Sequence, residues 1–161
     1  MRYFLDTNVF IQAKNFHYGM DFCPAFWDWL LRENANGTVH SIDKVAEELQ
    51  RGHDELAAWA KGPGSNLFVP LNSHTLQRLR DVSDWVKSQP YTQAAVAEFF
   101  NDTDCYLIAA ALAHGVAVVT HEVPSAGSRS VKIPNVCTGL RIQYLNPFQM
   151  LKREKAQCIL A

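Results

Sequence analysis

Four carboxylates, Asp6, Glu48, Asp104 and Glu122, sit where an alternating pattern of strands and helices would deliver them to one edge of a sheet. Asp6 closes the apolar run in MRYFLDTNVFI, and Glu122 follows the β-branched run in VAVVTHE. If both runs are parallel strands, their acids emerge at the carboxyl ends, which is where open α/β sheets place their ligands. Carboxylates gathered there repel one another, and a divalent cation supplies the counter-charge that makes the cluster tolerable. The chemistry this favours is hydrolysis of a phosphodiester. Mg²⁺ and Mn²⁺ prefer carboxylate oxygens. One or two such ions can activate water and stabilise charge on the phosphate and the leaving oxygen, so no serine, cysteine or histidine nucleophile is needed. Thr7, Asn8 and Thr120 lie beside the acids, placed to orient waters or to hold carboxylate rotamers by hydrogen bonds.

The elements that must carry these acids follow from pattern and punctuation. Residues 2–5 read as a buried first strand. Pro24 followed by Ala25, Phe26, Trp29 and Leu30 predicts a helix with proline near its first turn, closing at Gly37. Residues 38–42 are a short strand or an entry loop. Asp43 is expected to N-cap a helix over 44–51, with Gly52 just past its end. Residues 53–61, 73–87 and 92–100 read as further helices. Thr103 is expected to cap a helix running to His114, with Gly115 ending it and a strand over 117–120. Apolar runs at 131–133 and 140–145 precede a helix after Pro147. Helices alternating with short buried strands imply an α/β protein, a central parallel sheet flanked by helices on both faces, in one domain over 1–161.

Helical geometry also chooses between neighbouring acids. After Thr103, Asp104 shares a face with Leu107, Ile108 and Ala111, at i+3, i+4 and i+7, whereas Asp102 would project from nearly the opposite side. In KVAEELQRG the apolar face is set by Val45 and Leu49, so Glu48 flanks it and Glu47 points away.

The 161 residues, 48% of them hydrophobic, suffice for an ordinary globular core. A formal net charge of −1 excludes a general basic field for nucleic acid, so any such contact must be local. Lys14, His17, Arg51, His53, Arg129 and Lys132 lie near the acidic blocks and are the candidates for phosphate contacts. Cys23, Cys105, Cys137 and Cys158 are widely spaced, without zinc-site spacing, and are expected to be reduced thiols. No apolar run has the length of a signal peptide core or a membrane span, so a cytoplasmic protein is expected. The loop-rich stretches 61–66 and 124–130 do not have the look of domain linkers.

Each acid alone has an ordinary structural explanation: a polar strand stop, a solvated helix residue, a charge at a helix amino terminus, a turn residue. Their agreement is what favours a site. Trp27, Trp29, Trp59 and Trp85, with Phe26, Phe99 and Phe100, could stack on bases but at helical spacing belong to the core. His121 lies beside Glu122 and no histidines pair at ligand spacing.

Three blocks, FLDTNVFI, VAEELQRG and TDCYLIAAALAHGVAVVTHE, resemble the PIN domain (PilT amino-terminal type), the fold of VapC-type ribonuclease toxins. The third is the most specific: an acid opens an Ile/Ala-rich helix that leads through His-Gly to a hydrophobic strand ending in Thr-x-acid. The resemblance implies a PIN-like parallel sheet, a Mg²⁺ or Mn²⁺ centre on Asp6, Glu48, Asp104 and Glu122, cleavage of RNA, a cognate antitoxin partner and a homodimer. Two features depart from the pattern. Glu122 stands where aspartate is usual, and the aromatic-rich block FIQAKNFHYGMDFCPAFWDWL is distinctive, resembling a separate, largely uncharacterised PIN-like branch.

A haloacid dehalogenase-type phosphatase would need an aspartate where this chain has Asn8, and a flap-endonuclease-like enzyme would need long insertions that 161 residues do not hold. The remaining competitor is a non-catalytic PIN-fold module that binds RNA or protein.

Overall fold

The run Tyr3–Leu5 is apolar at every position and buried at every position, the pattern of a strand covered on both faces. It forms β1, the centre of the sheet. In the computed structural model, which describes residues 1–160, β1 is flanked by β2 (Val39–Ile42) and β4 (Ala117–Val119), with β3 (Phe68–Val69) and β5 (Tyr144–Leu145) at the edges. The order is β3-β2-β1-β4-β5 and every pairing is parallel, with Tyr3 opposite both Val39 and Ala117 and Leu5 opposite Val119.

The chain grows outward from β1 through β2 to β3, then returns across the sheet to β4 and β5. Right-handed crossovers running in opposite directions put their helices on opposite faces of the sheet. The connections are α1 (Thr7–Gln12), a π-helical turn (Ala13–His17) and α2 (Pro24–Ala35) before β2; α3 (Asp43–Gln50) and α4 (Glu55–Lys61) before β3; α5 (Ser73–Ser88), α6 (Gln93–Asn101) and α7 (Asp104–His114) before β4; and α8 (Ile133–Gly139) before β5. The helix α9 (Pro147–Arg153) follows β5. The reversal of strand order falls between β1 and β4, and the crevice at their carboxyl ends is the expected ligand position.

Local chemistry explains most boundaries. Asp54 accepts from Ala57 N–H at 2.9 Å to cap α4, and a reciprocal Asn146–Gln149 capping box starts α9. Gly115 ends α7 in the left-handed conformation at φ 64°, which costs glycine nothing. The helix α7 buries Cys105, Leu107, Ile108, Ala109, Ala110 and Ala111, nearly its whole circumference, because it lies in the core rather than on it. Trp27 and Trp29 are buried, Trp59 and Trp85 pack against the core from partly covered positions, and Phe26 and Phe99 are buried, so these rings are structural.

The structure corrects several local expectations. Asp43 is the first residue of α3, not its cap: Ile42 holds the extended N-cap position, and the Asp43 carboxylate accepts from Lys44 N–H at 2.8 Å and Leu71 N–H at 3.4 Å. The helix expected from residue 53 begins at Glu55. Thr103 occupies the N-cap position of α7 without making a side-chain cap bond. The apolar run at 131–133 is no strand; Ile133 opens α8, with Pro134 in its first turn. The run 140–145 contributes only the two residues of β5. The helix α1 with its π-helical turn, and the two-residue strand β3, have no counterpart in the expected pattern.

Candidate functional site

Asp6 is carried out of β1 directly into α1, and its backbone N–H continues the ladder by donating to Val119 C=O at 2.9 Å. Asp6 is buried, 5% exposed. Thr120, the residue after β4, donates its hydroxyl to Asp6 Oδ2 at 2.8 Å. The Thr120 hydroxyl oxygen in turn accepts from Asn8 Nδ2 at 3.3 Å and from Glu122 N–H at 3.0 Å. One donor and two acceptor positions are thus all used, which sets the Thr120 rotamer and, through it, the Asp6 carboxylate. Asn8 Oδ1 accepts from His121 N–H at 3.2 Å and closes the link between the ends of β1 and β4. The Thr7 hydroxyl donates to Glu48 Oε2, tying the start of α1 to α3.

Asp6, Glu48, Asp104 and Glu122 line one cleft of about 540 Å³ together with Thr7, Asn8, Ile11, Gln12, Arg51 and Asp102. Glu48 is half-buried and Glu47 exposed, as the helical face of α3 dictates. Asp104 is half-buried at the head of α7. Asp102 does not point away from the site. It stands exposed on the rim, its Oδ1 accepting from Thr103 N–H at 2.7 Å. Helical rotation does not apply to it, because α7 begins only at Asp104.

The electrostatics are those of crowded acids. Burial pushes the Asp6 carboxyl up to about 7 against the lowering effect of the Thr120 hydrogen bond, and the charges of Glu122 and Glu48 add to the rise. Burial pushes Asp104 up to about 9, followed by the charges of Asp6, Asp102, Glu122 and Glu48. Among the described residues, the four salt bridges leave all four acids without a basic partner. The donor set is entirely oxygen and strongly anionic, the chemistry that suits Mg²⁺ or Mn²⁺. Among the described residues, however, no three acidic, histidine or cysteine side chains are already gathered as a coordination set. Hydrogen bonds hold two of them in place: Glu48 by Thr7, and Glu122 by Ile133 N–H, which donates to its Oε2 at 2.7 Å.

The expected phosphate contacts divide. Arg51 is exposed and lines the acidic cleft. Lys132 lines a smaller hollow of about 100 Å³ with Asp102, Asp104 and Glu122. Lys14 is engaged by Asp54 at 2.5 Å. His53 is an exposed turn residue at φ 50°, and Arg129 is exposed in the 124–130 loop, neither of them lining the cleft. His17 stacks on His121 at 5.5 Å between ring centroids. Burial, and then the His17 charge, lower the His121 pKa. Residue periodicity did not reveal the Asp102 rim position or the His17–His121 contact; the first depends on where α7 starts and the second joins residues far apart in sequence.

A more apolar hollow of about 250 Å³, lined by Tyr18, Phe26, Trp29, Phe148 and the segment 156–158, contains no carboxylate. No helix among the described residues is long and apolar enough to cross a membrane.

Comparison with solved structures gives the same architecture. The chain is similar to "Crystal Structure of FitAcB from Neisseria gonorrhoeae", with 18% identity, TM-score 0.57, and 91% of this chain and 98% of the other covered. It is similar to "Structure of FitAB bound to IR36 DNA fragment", with 16% identity, TM-score 0.55 and coverage of 91% and 95%. It is also similar to "Crystal structure of VapBC2 from Rickettsia felis bound to a DNA fragment from their promoter", with 16% identity, TM-score 0.57 and coverage of 91% and 98%. At such identity the likeness is one of fold, and the fold is that of PIN domains. No curated protein matches the chain. Residues 3–158, nearly the entire chain, match the model of the family described as "Domain of unknown function (DUF4411)", and the chain belongs to that family.

Proposed function

We propose that this protein is a Mg²⁺- or Mn²⁺-dependent endoribonuclease and the toxin of a toxin–antitoxin pair. The observation that carries the reading is the convergence of Asp6, Glu48, Asp104 and Glu122 on one cleft at the switch point of the sheet, with no basic side chain among the described residues paired to any of them. The upward push on Asp6 and Asp104 from burial and from one another's charges supports this reading, since a bound cation would relieve it.

Asp6, Glu48, Asp104 and Glu122 would hold the metal. When bound, Mg²⁺ or Mn²⁺ supplies Lewis-acid stabilisation of the phosphate and acidifies water for attack. The chain's own residues do the positioning. Thr120 holds Asp6 in one rotamer, Thr7 holds Glu48, and Asn8 fixes the two strand ends against each other. Arg51 at the mouth offers a guanidinium to a phosphate, and Lys132 offers an ammonium from the far side of Asp104 and Glu122. Ile133 N–H donates to Glu122 Oε2 and orients that carboxylate, leaving Oε1 for a ligand role.

The likeness to the FitAB and VapBC2 structures supports an antitoxin partner; a homodimer and a cytoplasmic setting belong to the same proposal. An antitoxin fitted to this cleft would present arginine or lysine to Asp6, Asp104 and Glu122.

The deciding experiment incubates purified protein with single-stranded RNA in Mn²⁺, in Mg²⁺ and in chelator. Metal-dependent cleavage that disappears in Asp6→Asn supports the nuclease; cleavage that survives chelator or the substitution rules it out.

A further inference from the structure

Beside the acidic cleft, on the β5 side, three rings from three separate segments meet at the surface. His17 ends the π-helical turn after α1, His121 lies between Thr120 and Glu122 after β4, and Phe148 opens α9 after β5. The two imidazoles are stacked, with centroids 5.5 Å apart and planes 29° apart. The phenyl ring stands edge-on to both, at 5.1 Å from His17 and 5.8 Å from His121. His17 is exposed and Phe148 is 45% exposed.

We propose that His17, His121 and Phe148 form a stacking platform for an unpaired nucleobase of a single-stranded RNA whose backbone enters the acidic cleft, an inference that rests on the nuclease reading above.

The platform is held in advance of any ligand. Asn8 Oδ1 holds His121 N–H at 3.2 Å. The Asn146–Gln149 capping box fixes the first turn of α9 and with it Phe148, and Tyr18 N–H donates to Ala13 C=O at 2.7 Å to close the turn that carries His17. With the backbone held in this way and the rings packed on one another, they lose little freedom when a base lies on them, which is the condition for useful stacking. Aromatic and imidazole faces accept any base, so the site selects for an accessible base face rather than for a sequence. A duplex hides those faces. The platform therefore assigns an unpaired nucleotide as the substrate feature, with His121 linking it to the acids through its neighbours Thr120 and Glu122.

The test uses the full-length protein in Ca²⁺, which offsets the carboxylate charge of the cleft without the octahedral geometry of Mg²⁺, and a short unstructured RNA carrying 2-aminopurine, whose fluorescence is quenched on stacking. Wild type should bind and quench; His17→Ala and Phe148→Ala should each weaken binding about tenfold, the scale of one lost base stack, and abolish the quenching. His17→Phe, which keeps a ring, should retain both, and double-stranded RNA of the same length should show neither effect. Circular dichroism confirms that each variant is folded. Unchanged binding and quenching in the alanine variants overturns the platform, as does a wild type that never quenches. Loss of self-association in sedimentation with RNA binding intact assigns the rings to a protein contact and likewise overturns it. Cleavage in Mn²⁺, followed in parallel, separates the two claims: cleavage without quenching removes the platform alone, and quenching without cleavage removes the nuclease reading while the platform stands.

Discussion

The Thr120 hydroxyl donates to Asp6 Oδ2 at 2.8 Å across 114 positions of sequence, joining the carboxyl ends of adjacent strands β1 and β4. This bond fixes the orientation of the most buried acid in the cleft and lowers its pKa against a larger upward push from burial.

Removing that hydroxyl while keeping the shape isolates its effect. Thr120→Val should leave Asn8 Nδ2 and Glu122 N–H without their partner and raise the Asp6 pKa further. Cleavage at limiting Mn²⁺ should fall about 10- to 100-fold, the usual cost of losing a group that orients a metal ligand, with Thr120→Ser recovering most of it. A Val variant as active as wild type at limiting metal would show that the bond does not position Asp6.

The raised carboxyls give the metal-free protein a defined pH dependence. An acid whose folded pKa lies above its unfolded value of 3.8 binds protons more tightly in the folded state, so stability is complete at low pH and is lost as pH rises through the window. For Asp6 and Asp104 that window runs from 3.8 up to about 7 and about 9. In chelator, thermal stability should therefore decline from pH 5 to pH 9, and the decline should be shallower in Asp104→Asn. Adding Mn²⁺ should flatten the wild-type profile. Parallel melting curves for wild type and Asp104→Asn would contradict the electrostatic account.

Asp6→Asn and Asp104→Asn should both fold, melt higher than wild type without metal because repulsion is relieved, and lose cleavage.

The helical faces separate neighbouring acids. Glu48→Gln should lower turnover steeply and weaken Mn²⁺ binding, whereas Glu47→Gln, altering an exposed residue, should leave both near wild type. Asp102→Asn keeps an oxygen for Thr103 N–H and changes only the rim, so its effect should be a few-fold loss. Titrating Mn²⁺ against all three variants checks the assignment; an essential Glu47 would refute it.

Packing makes one prediction apart from the site. A Cβ on Gly139 of α8 would lie 2.0 Å from Trp85 Cε2 on α5, so the indole occupies space that only glycine leaves open. Gly139→Ala should destabilise the protein by about 1–3 kcal/mol, read as a lower denaturation midpoint that metal does not restore to the wild-type value.

Local sequence by itself determined the acids and most of the elements bearing them. An apolar run needs no distant information to read as a strand ending at Asp6, and a period of 3.6 residues chooses Glu48 over Glu47 from Val45 and Leu49 alone. The resemblance of three blocks to PIN domains extended this to the fold. What only tertiary structure decided involves contacts between remote segments or elements too short to carry a period. The two residues of β3 cannot display an alternation, and Asp102 reaches the rim because α7 starts two residues after it. The strand order that brings residue 6 beside residue 120, the bond from Ile133 to Glu122, and the meeting of His17, His121 and Phe148 are pairings that no local pattern encodes. They arise when the crossovers close, because burying both faces of β1 leaves the strand ends for polar side chains, and the carboxyl ends of β1 and its neighbours are where these acids gather.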